Sequence, residues 1–124
     1  MSEHKKPTIL VIDDDEDYLD ILKLGLSNEF KILTIGNFHQ LEQELQGLSP
    51  ALILLDKNLG LSAPENIVST IRSVDTLREV PIIMMSGIDQ GKNEPSAEGI
   101  EGFMVKPSSF QEVRDRLRET LDRQ

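Results

Sequence analysis

The sequence predicts an α/β fold in which a doubly wound, five-stranded parallel sheet is covered by helices on both faces. Three observations support this prediction. The 124 residues contain five short apolar runs, and most of them precede a segment in which apolar residues recur every three or four positions. Most of the runs lack strict alternation of polar and apolar residues, which is typical of strands buried on both faces. Strands that alternate with helices form parallel sheets, because right-handed crossovers place helices above and below the sheet.

Each of the first three strands is followed by a helical segment. The strands are predicted over Thr8–Ile12, Phe30–Ile35 and Ala51–Leu55. The helical stripes comprise Tyr18, Leu19, Ile21, Leu22, Gly25 and Leu26, then Phe38, Leu41, Leu45 and Leu48, and finally Ile67, Val68, Ile71 and Val74. A Ser-Ala-Pro-Glu sequence precedes the third stripe. It is typical of a helix N-terminus, because proline suits the first helical position.

The second half of the chain repeats the pattern with one irregularity. Strands four and five are predicted over Ile82–Met85 and Ile100–Val105, and Phe110, Val113, Leu117 and Leu121 form the stripe of a last amphipathic helix. Glycine and proline interrupt the segment Asp89–Gly99, so we expect a short or irregular fourth helix there. The pattern favours a flavodoxin-like three-layer sandwich with strand order 2-1-3-4-5. We expect one domain over residues 8–124 after a tail at residues 1–7.

Composition excludes several functional classes. The chain has 22 acidic and 13 basic residues and a formal charge of −9, which argues against nucleic acid or an anionic membrane as a partner. The absence of cysteine excludes disulfides, thiolate zinc sites and thiol nucleophiles. No apolar run approaches the roughly 20 residues of a membrane span, and the N-terminal residues do not resemble an export signal. We therefore expect a cytoplasmic location.

Polar residues stand at the carboxyl ends of four predicted strands: Asp13 and Asp14, Asp56, Ser86, and Lys106 followed by Pro107. In an open parallel sheet these ends meet at one edge, where ligands bind. If strands one and three are neighbours, Asp14 and Asp56 approach closely and repel each other. Mg²⁺ relieves such repulsion and prefers oxygen ligands. A hydroxyl and an ammonium group at the same edge are suitable donors to a phosphoryl group. The pattern therefore indicates phosphoryl transfer.

Four motifs together indicate a known family. Ile-Asp-Asp ends at Asp14, Leu-Leu-Asp ends at Asp56, Met-Ser-Gly contains Ser86, and Phe-Met-Val-Lys-Pro contains Phe103 and Lys106. Each motif alone is common, but their order and their positions at strand ends are specific. Over residues 8–122 the sequence resembles the receiver domain of two-component response regulators, which has the fold of the chemotaxis regulators.

The resemblance implies a role for each residue. Asp56 would accept a phosphoryl group from a histidine kinase or a phosphotransfer protein of a phosphorelay. The implied Mg²⁺ ligands are Asp14, Asp56, the main-chain carbonyl of Asn58, and Asp13 either directly or through a water molecule. Lys106 would pair with the phosphoryl group and Ser86 would donate its hydroxyl to it. Phe103 would be the aromatic residue whose rotamer follows the movement of Ser86.

The resemblance also implies a signalling domain rather than a conventional enzyme, limited to self-catalysed phosphotransfer and slow autodephosphorylation. The downstream partner would be an effector protein. In many relatives the surface around the fourth helix mediates dimerisation. Because that segment is irregular in this sequence, we expect a monomer.

Other interpretations of the acidic cluster remain open. Acidic residues in a first helical turn are stabilised by the helix dipole, and this accounts for Asp15, Glu16, Asp17 and Asp20. A phosphatase of the haloacid dehalogenase type would use Asp13 as nucleophile and Asp15 as acid and base. It would also need a further acidic pair at the end of a late strand, and none stands there. A third interpretation is a receiver fold that acts as an unphosphorylated docking module.

Overall fold

Five short strands form one parallel sheet, as the apolar runs predict. The structure is a computed structural model that describes residues 6–36, 41–57, 64–87, 100–106 and 109–123. Its strands are β1 (Thr8–Ile12), β2 (Lys31–Ile35), β3 (Leu52–Asp56), β4 (Ile82–Gly87) and β5 (Gly102–Lys106). They are ordered β2-β1-β3-β4-β5 and all four neighbouring pairs are parallel. The predicted strand order is confirmed.

Helices connect and cover the strands. They are α1 (Glu16–Leu26), α2 (Leu41–Leu45), α3 (Pro64–Arg72) and α4 (Phe110–Asp122), with a 3₁₀ helix at Asp75–Leu77 that the sequence pattern did not predict. The segment predicted as a short or irregular fourth helix lies outside the described residues, so α4 is the last helix of the chain. No helix in the described part of the chain combines the length and apolar character needed to cross a membrane.

The alternation of side chains along the strands divides the core into two clusters. In β3 every residue from Leu52 to Leu55 is fully buried. Ile53 and Leu55 pack with α2 and α3, whereas Leu52 and Leu54 pack with α1 and α4. Because both faces of the central strands are covered, both sets of side chains must be apolar. This is why the strands appear in the sequence as continuous apolar runs.

Local hydrogen bonds fix where α1 and α4 begin. Asp15 is the N-cap of α1 and accepts the backbone N–H of Tyr18, with 3.2 Å between Oδ1 and N. Ser109 and Glu112 form a capping box at the start of α4. Each cap satisfies backbone N–H groups that have no partner inside the helix. Within α1 the residue Ile21, which the sequence pattern placed in the apolar stripe, is 50% exposed.

Candidate functional site

The register of the sheet brings the polar strand ends together. The residue before Asp13 pairs with the residue before Asp56 across β1 and β3. Asp56 pairs with the residue before Ser86 across β3 and β4, and the residue after Ser86 pairs with Lys106 across β4 and β5. Four strands therefore contribute polar side chains to one edge of the sheet, which we call the carboxyl edge.

Three carboxylates form a cluster at the carboxyl edge. Asp13, Asp14 and Asp56 each offer an oxygen atom, and these atoms lie within 4.8 Å of one another. Asp13 is fully buried and Asp56 is 7% exposed, whereas Asp14 is exposed. Carboxylates at this separation repel each other strongly when water is excluded. An oxygen-rich cluster that opens to solvent on one side is the ligand set that Mg²⁺ takes in proteins.

Lys106 provides positive charge within the cluster. Its Nζ lies 2.6 Å from Asp13 Oδ2 and 3.7 Å from Asp56 Oδ2, and its side chain is 19% exposed. Three carboxylates and one ammonium group give a formal charge of −2 for these four side chains. A divalent cation would neutralise this remaining charge, so the residues present fit a magnesium site.

Asp13 is held by the backbone as well as by Lys106. Its N–H donates to the carbonyl of Ile35 at 3.1 Å, and its Oδ1 accepts the N–H of Asp15 at 2.9 Å. Both carboxylate oxygens of Asp13 are therefore hydrogen-bonded, because Oδ2 accepts from Lys106. These bonds orient Asp13 before any ligand arrives.

Three of the four remaining acidic residues lie at the start of the helix, as the helix-dipole interpretation predicts, whereas Asp20 lies beyond the first turn and is exposed. Asp15 caps α1, and Glu16 and Asp17 lie in the first turn. The phosphatase alternative would need Asp15 as its acid and base, but in this structure the Asp15 side chain accepts the N–H of Tyr18. The geometry therefore does not favour that alternative.

Ser86 is a buried hydroxyl at the carboxyl edge. It is fully buried, and its Oγ has no hydrogen-bond partner within the described ranges. A buried hydroxyl without a partner costs free energy relative to a bonded one, and native proteins rarely retain it without a function. The Ser86 hydroxyl is thus a donor that a ligand at this edge could use.

Tyr18 is a neighbour of the site that sequence reasoning did not identify. Its ring centroid lies 4.3 Å from Lys106 Nζ, and its hydroxyl donates to Met85 Sδ at 3.6 Å. Burial, followed by the negative charges of Asp13 and Asp56, raises the pKa of Tyr18 to about 12. The sequence could have indicated Tyr18 only through its position. It lies three residues after the N-cap, on the face of α1 that packs on the sheet.

The other predicted site residues are described in part. Phe103 is half-buried and packs against the core cluster on the α2 and α3 side of the sheet. Its backbone carbonyl accepts a hydrogen bond from the guanidinium of Arg116 in α4. Asn58 and Pro107 lie outside the described residues.

Comparison with known proteins identifies the family. The sequence-family model of the response regulator receiver domain matches residues 9–118. The transcriptional regulatory protein PrrA of Mycobacterium tuberculosis is 27% identical over 120 residues, which cover 94% of this chain and 51% of PrrA. The regulatory protein VirG of Agrobacterium fabrum is 29% identical over 117 residues, which cover 91% of this chain and 45% of VirG. The chain thus spans about half the length of these curated relatives.

A solved structure supports the same fold. The receiver domain of the sensor histidine kinase PA1611 from Pseudomonas aeruginosa PAO1 superposes with a TM-score of 0.80 at 19% identity. The match covers 95% of this chain and 99% of the other. Because the family model covers most of the sequence and the predicted sheet order is observed, the resemblance of the four motifs is confirmed. The chain therefore belongs to the response regulator receiver domain family of two-component signalling.

Proposed function

We propose that Asp56 accepts a phosphoryl group from a histidine kinase or a histidine phosphotransfer protein, in the presence of Mg²⁺. One observation carries this proposal: the Lys106 ammonium group is bonded to the buried carboxylate of Asp13 and also lies within ion-pair distance of the buried carboxylate of Asp56. Lys106 Nζ is 2.6 Å from Asp13 Oδ2 and 3.7 Å from Asp56 Oδ2. The ammonium group is therefore anchored on Asp13 and stands beside Asp56, where it can pair with incoming phosphoryl oxygens.

The metal ligands would be Asp13, Asp14, Asp56 and the main-chain carbonyl of Asn58. The charge of −2 on the four clustered side chains and the separation of the carboxylate oxygens support the three carboxylate ligands, and the resemblance to receiver domains supports the Asn58 carbonyl. The solved PA1611 receiver domain has a magnesium ion coordinated in its active-site cleft. When bound, Mg²⁺ would supply neutralisation of the charge on the phosphoryl oxygens.

The transfer reaction needs a nucleophile and donors to the phosphoryl oxygens. A carboxylate oxygen of Asp56 attacks phosphorus, the bond from phosphorus to the donor nitrogen breaks, and the electron pair leaves with the donor imidazole. Lys106 and the hydroxyl of Ser86 bind the oxygens of the transferred group. Water later attacks phosphorus, which restores the Asp56 carboxylate and releases inorganic phosphate. Both steps are self-catalysed, and the second is slow.

Phosphorylation would act as a switch, because it adds roughly −1.5 to −2 of charge at the carboxyl edge. The hydroxyl of Ser86, which has no hydrogen-bond partner among the described residues, would move onto a phosphoryl oxygen, and the half-buried ring of Phe103 would follow by changing rotamer. These movements would alter the surface around β4 and β5 and thereby the binding of an effector protein. We further propose that the protein acts as a monomer in the cytoplasm and binds neither nucleic acid nor membranes.

The test is phosphorylation by acetyl phosphate with Mg²⁺, followed by mass spectrometry of the intact protein. We expect the mass of one phosphoryl group on the wild-type protein and on Asp20→Asn, an exposed acid of α1 outside the cluster. Asp56→Asn should remain unmodified. No adduct on the wild-type protein, or an adduct that persists in Asp56→Asn, would overturn the proposal.

Beryllofluoride with Mg²⁺ gives an independent measurement of the switch. We expect it to shift the amide resonances of Ser86 and Phe103. Unchanged resonances would instead favour the unphosphorylated docking module.

A further inference from the structure

We propose that Tyr18 is a positioning residue whose aromatic face holds the Lys106 ammonium group beside Asp13 and Asp56. The inference rests on the proposed function, in which Lys106 binds the phosphoryl group. The ammonium nitrogen lies 4.3 Å from the ring centroid, and a cation within about 6 Å of an aromatic face is attracted by the ring. The same nitrogen is 2.6 Å from Asp13 Oδ2 and 3.7 Å from Asp56 Oδ2.

The contact is strong enough to matter because it is shielded from water. The Lys106 side chain is 19% exposed and Tyr18 is half-buried. A cation–π contact gains strength when water is excluded from it. Lysine also has a flexible four-carbon chain, so several partners are needed to keep its ammonium group at one place. Tyr18 provides an uncharged contact that keeps the ammonium group beside the carboxylates. Because the ring carries no formal charge, this contact does not neutralise the ammonium group.

Hydrogen bonds hold Tyr18 at two points, its backbone and its hydroxyl. At the backbone, the N–H of Tyr18 donates to the N-cap Asp15, which orients the first turn of α1. At the far end, the hydroxyl donates to Met85 Sδ in β4. Met85 pairs with Asp56 in the sheet and directly precedes Ser86. The ring of Tyr18 therefore connects the start of α1 with the strand that carries Ser86.

A residue that only fills space would behave differently from a positioning residue. Leucine and methionine can occupy the contact between α1 and the sheet, but they offer no face to a cation. Phenylalanine keeps the aromatic face and loses only the hydroxyl. Tyr18→Leu, Tyr18→Met and Tyr18→Phe thus separate packing from the attraction of the ring for Lys106.

The experiment measures the rate constant of phosphorylation by acetyl phosphate at saturating Mg²⁺, together with the Mg²⁺ affinity. In Tyr18→Leu and Tyr18→Met we expect the rate constant to fall roughly 5- to 30-fold, the effect of losing a largely desolvated cation–π contact. Tyr18→Phe should restore most of this loss. The affinity for Mg²⁺ should not change, because the carboxylates remain. If rate and affinity fall together, or if Tyr18→Leu reacts as fast as the wild-type protein, the inference is wrong.

A second measurement does not depend on reaction. In the metal-free protein the ε-methylene resonances of Lys106 should be shifted upfield by the ring, and they should move downfield in Tyr18→Leu but not in Tyr18→Phe. Absence of this difference would overturn the contact itself. If the wild-type protein shows the resonance shift but takes no phosphoryl group, the proposed function fails and the Tyr18–Lys106 contact stands.

Discussion

Neutralising Asp14 should stabilise the protein without Mg²⁺ and weaken the stabilisation that Mg²⁺ provides. Asp14 is the exposed member of the carboxylate cluster, and its oxygen lies within 4.8 Å of oxygens of Asp13 and Asp56. The ion pairs of Lys106 are with Asp13 and Asp56. In the absence of a metal, Asp14 therefore contributes mainly repulsion, and Asp14→Asn removes it with little change of shape.

The magnitude follows from the separation of the charges. At about 4.8 Å and the dielectric constant of water, each repulsion amounts to about 0.9 kcal/mol. We use this weak limit because Asp14 is exposed. Lys106, whose ion pairs are with the other two carboxylates, offsets part of the two repulsions, so we expect Asp14→Asn to raise the free energy of unfolding by about 1 kcal/mol. With Mg²⁺ at about 100 times its dissociation constant, the wild-type protein gains about 2.7 kcal/mol. Asp14→Asn lacks one ligand and therefore gains much less free energy of unfolding from Mg²⁺. With Mg²⁺ the wild-type protein should thus be the more stable of the two.

Urea unfolding followed by circular dichroism measures both effects. In EDTA a gain of about 1 kcal/mol moves the midpoint upward by about 0.3 to 1 M urea. Asp20→Asn changes the net charge equally but lies outside the cluster, so it should respond to Mg²⁺ as the wild-type protein does. The reasoning is refuted if Asp14→Asn is less stable than the wild-type protein in EDTA, or if Mg²⁺ stabilises both equally.

Three further predictions concern other contacts of the fold. Ser86→Ala should leave the free energy of unfolding unchanged or raise it by up to about 1 kcal/mol, because the hydroxyl has no partner within the described ranges; a clear loss in urea unfolding would contradict this. A Cβ on Gly25 would lie 2.4 Å from the ring of Phe110 and clash with it. Gly25→Ala should therefore stabilise α1 by about 1 kcal/mol, the usual gain of alanine over glycine in a helix, only in a Phe110→Ala background that lacks the ring. Equal effects of Gly25→Ala in the two backgrounds, measured by urea unfolding, would refute that reasoning. The pKa of Tyr18 is about 12 in the folded protein and about 10 when unfolded, so its contribution to stability is complete below pH 10 and is lost by about pH 12. Tyr18→Phe should therefore lose less stability than the wild-type protein over that range, and parallel losses would argue against a raised pKa.

The strands were predictable because a strand that is buried on both faces appears in the sequence as a continuous apolar run. β1 occupies the predicted residues, and the other strands differ from their predicted bounds by one or two residues at one end or at both. β4 continues through Ser86 and Gly87 although its apolar pattern stops at Met85. Hydrophobicity cannot indicate a polar residue that is buried for its chemistry, so the strand end nearest the site was the part that the pattern missed.

The residues of the carboxyl edge were predictable for a different reason. In a parallel sheet, sequence order and strand direction fix which strand ends meet, so Asp13, Asp56 and Lys106 could be brought together without coordinates. The ion pairs that these residues form with one another could not be predicted in this way. The resemblance assigned Lys106 to the phosphoryl group, whereas in the structure it bonds Asp13. Tyr18 was missed because an aromatic residue on the buried face of a helix has the same periodicity as any core residue.

Three consecutive aspartates make three different sets of contacts because each stands at a different point between a strand and a helix. Asp13 is still within reach of the neighbouring strand and is held by backbone bonds. Asp14 is the member of the carboxylate cluster that is exposed to solvent, and Asp15 caps α1. The N–H of Asp15 bonds Asp13, and the Asp15 carboxylate bonds the N–H of Tyr18. The order of the carboxylate cluster is therefore coupled to the first turn of α1. Charge alone predicts a cation near this cluster, whereas the bond between the Tyr18 N–H and Asp15 helps to explain why an aromatic ring lies beside Lys106.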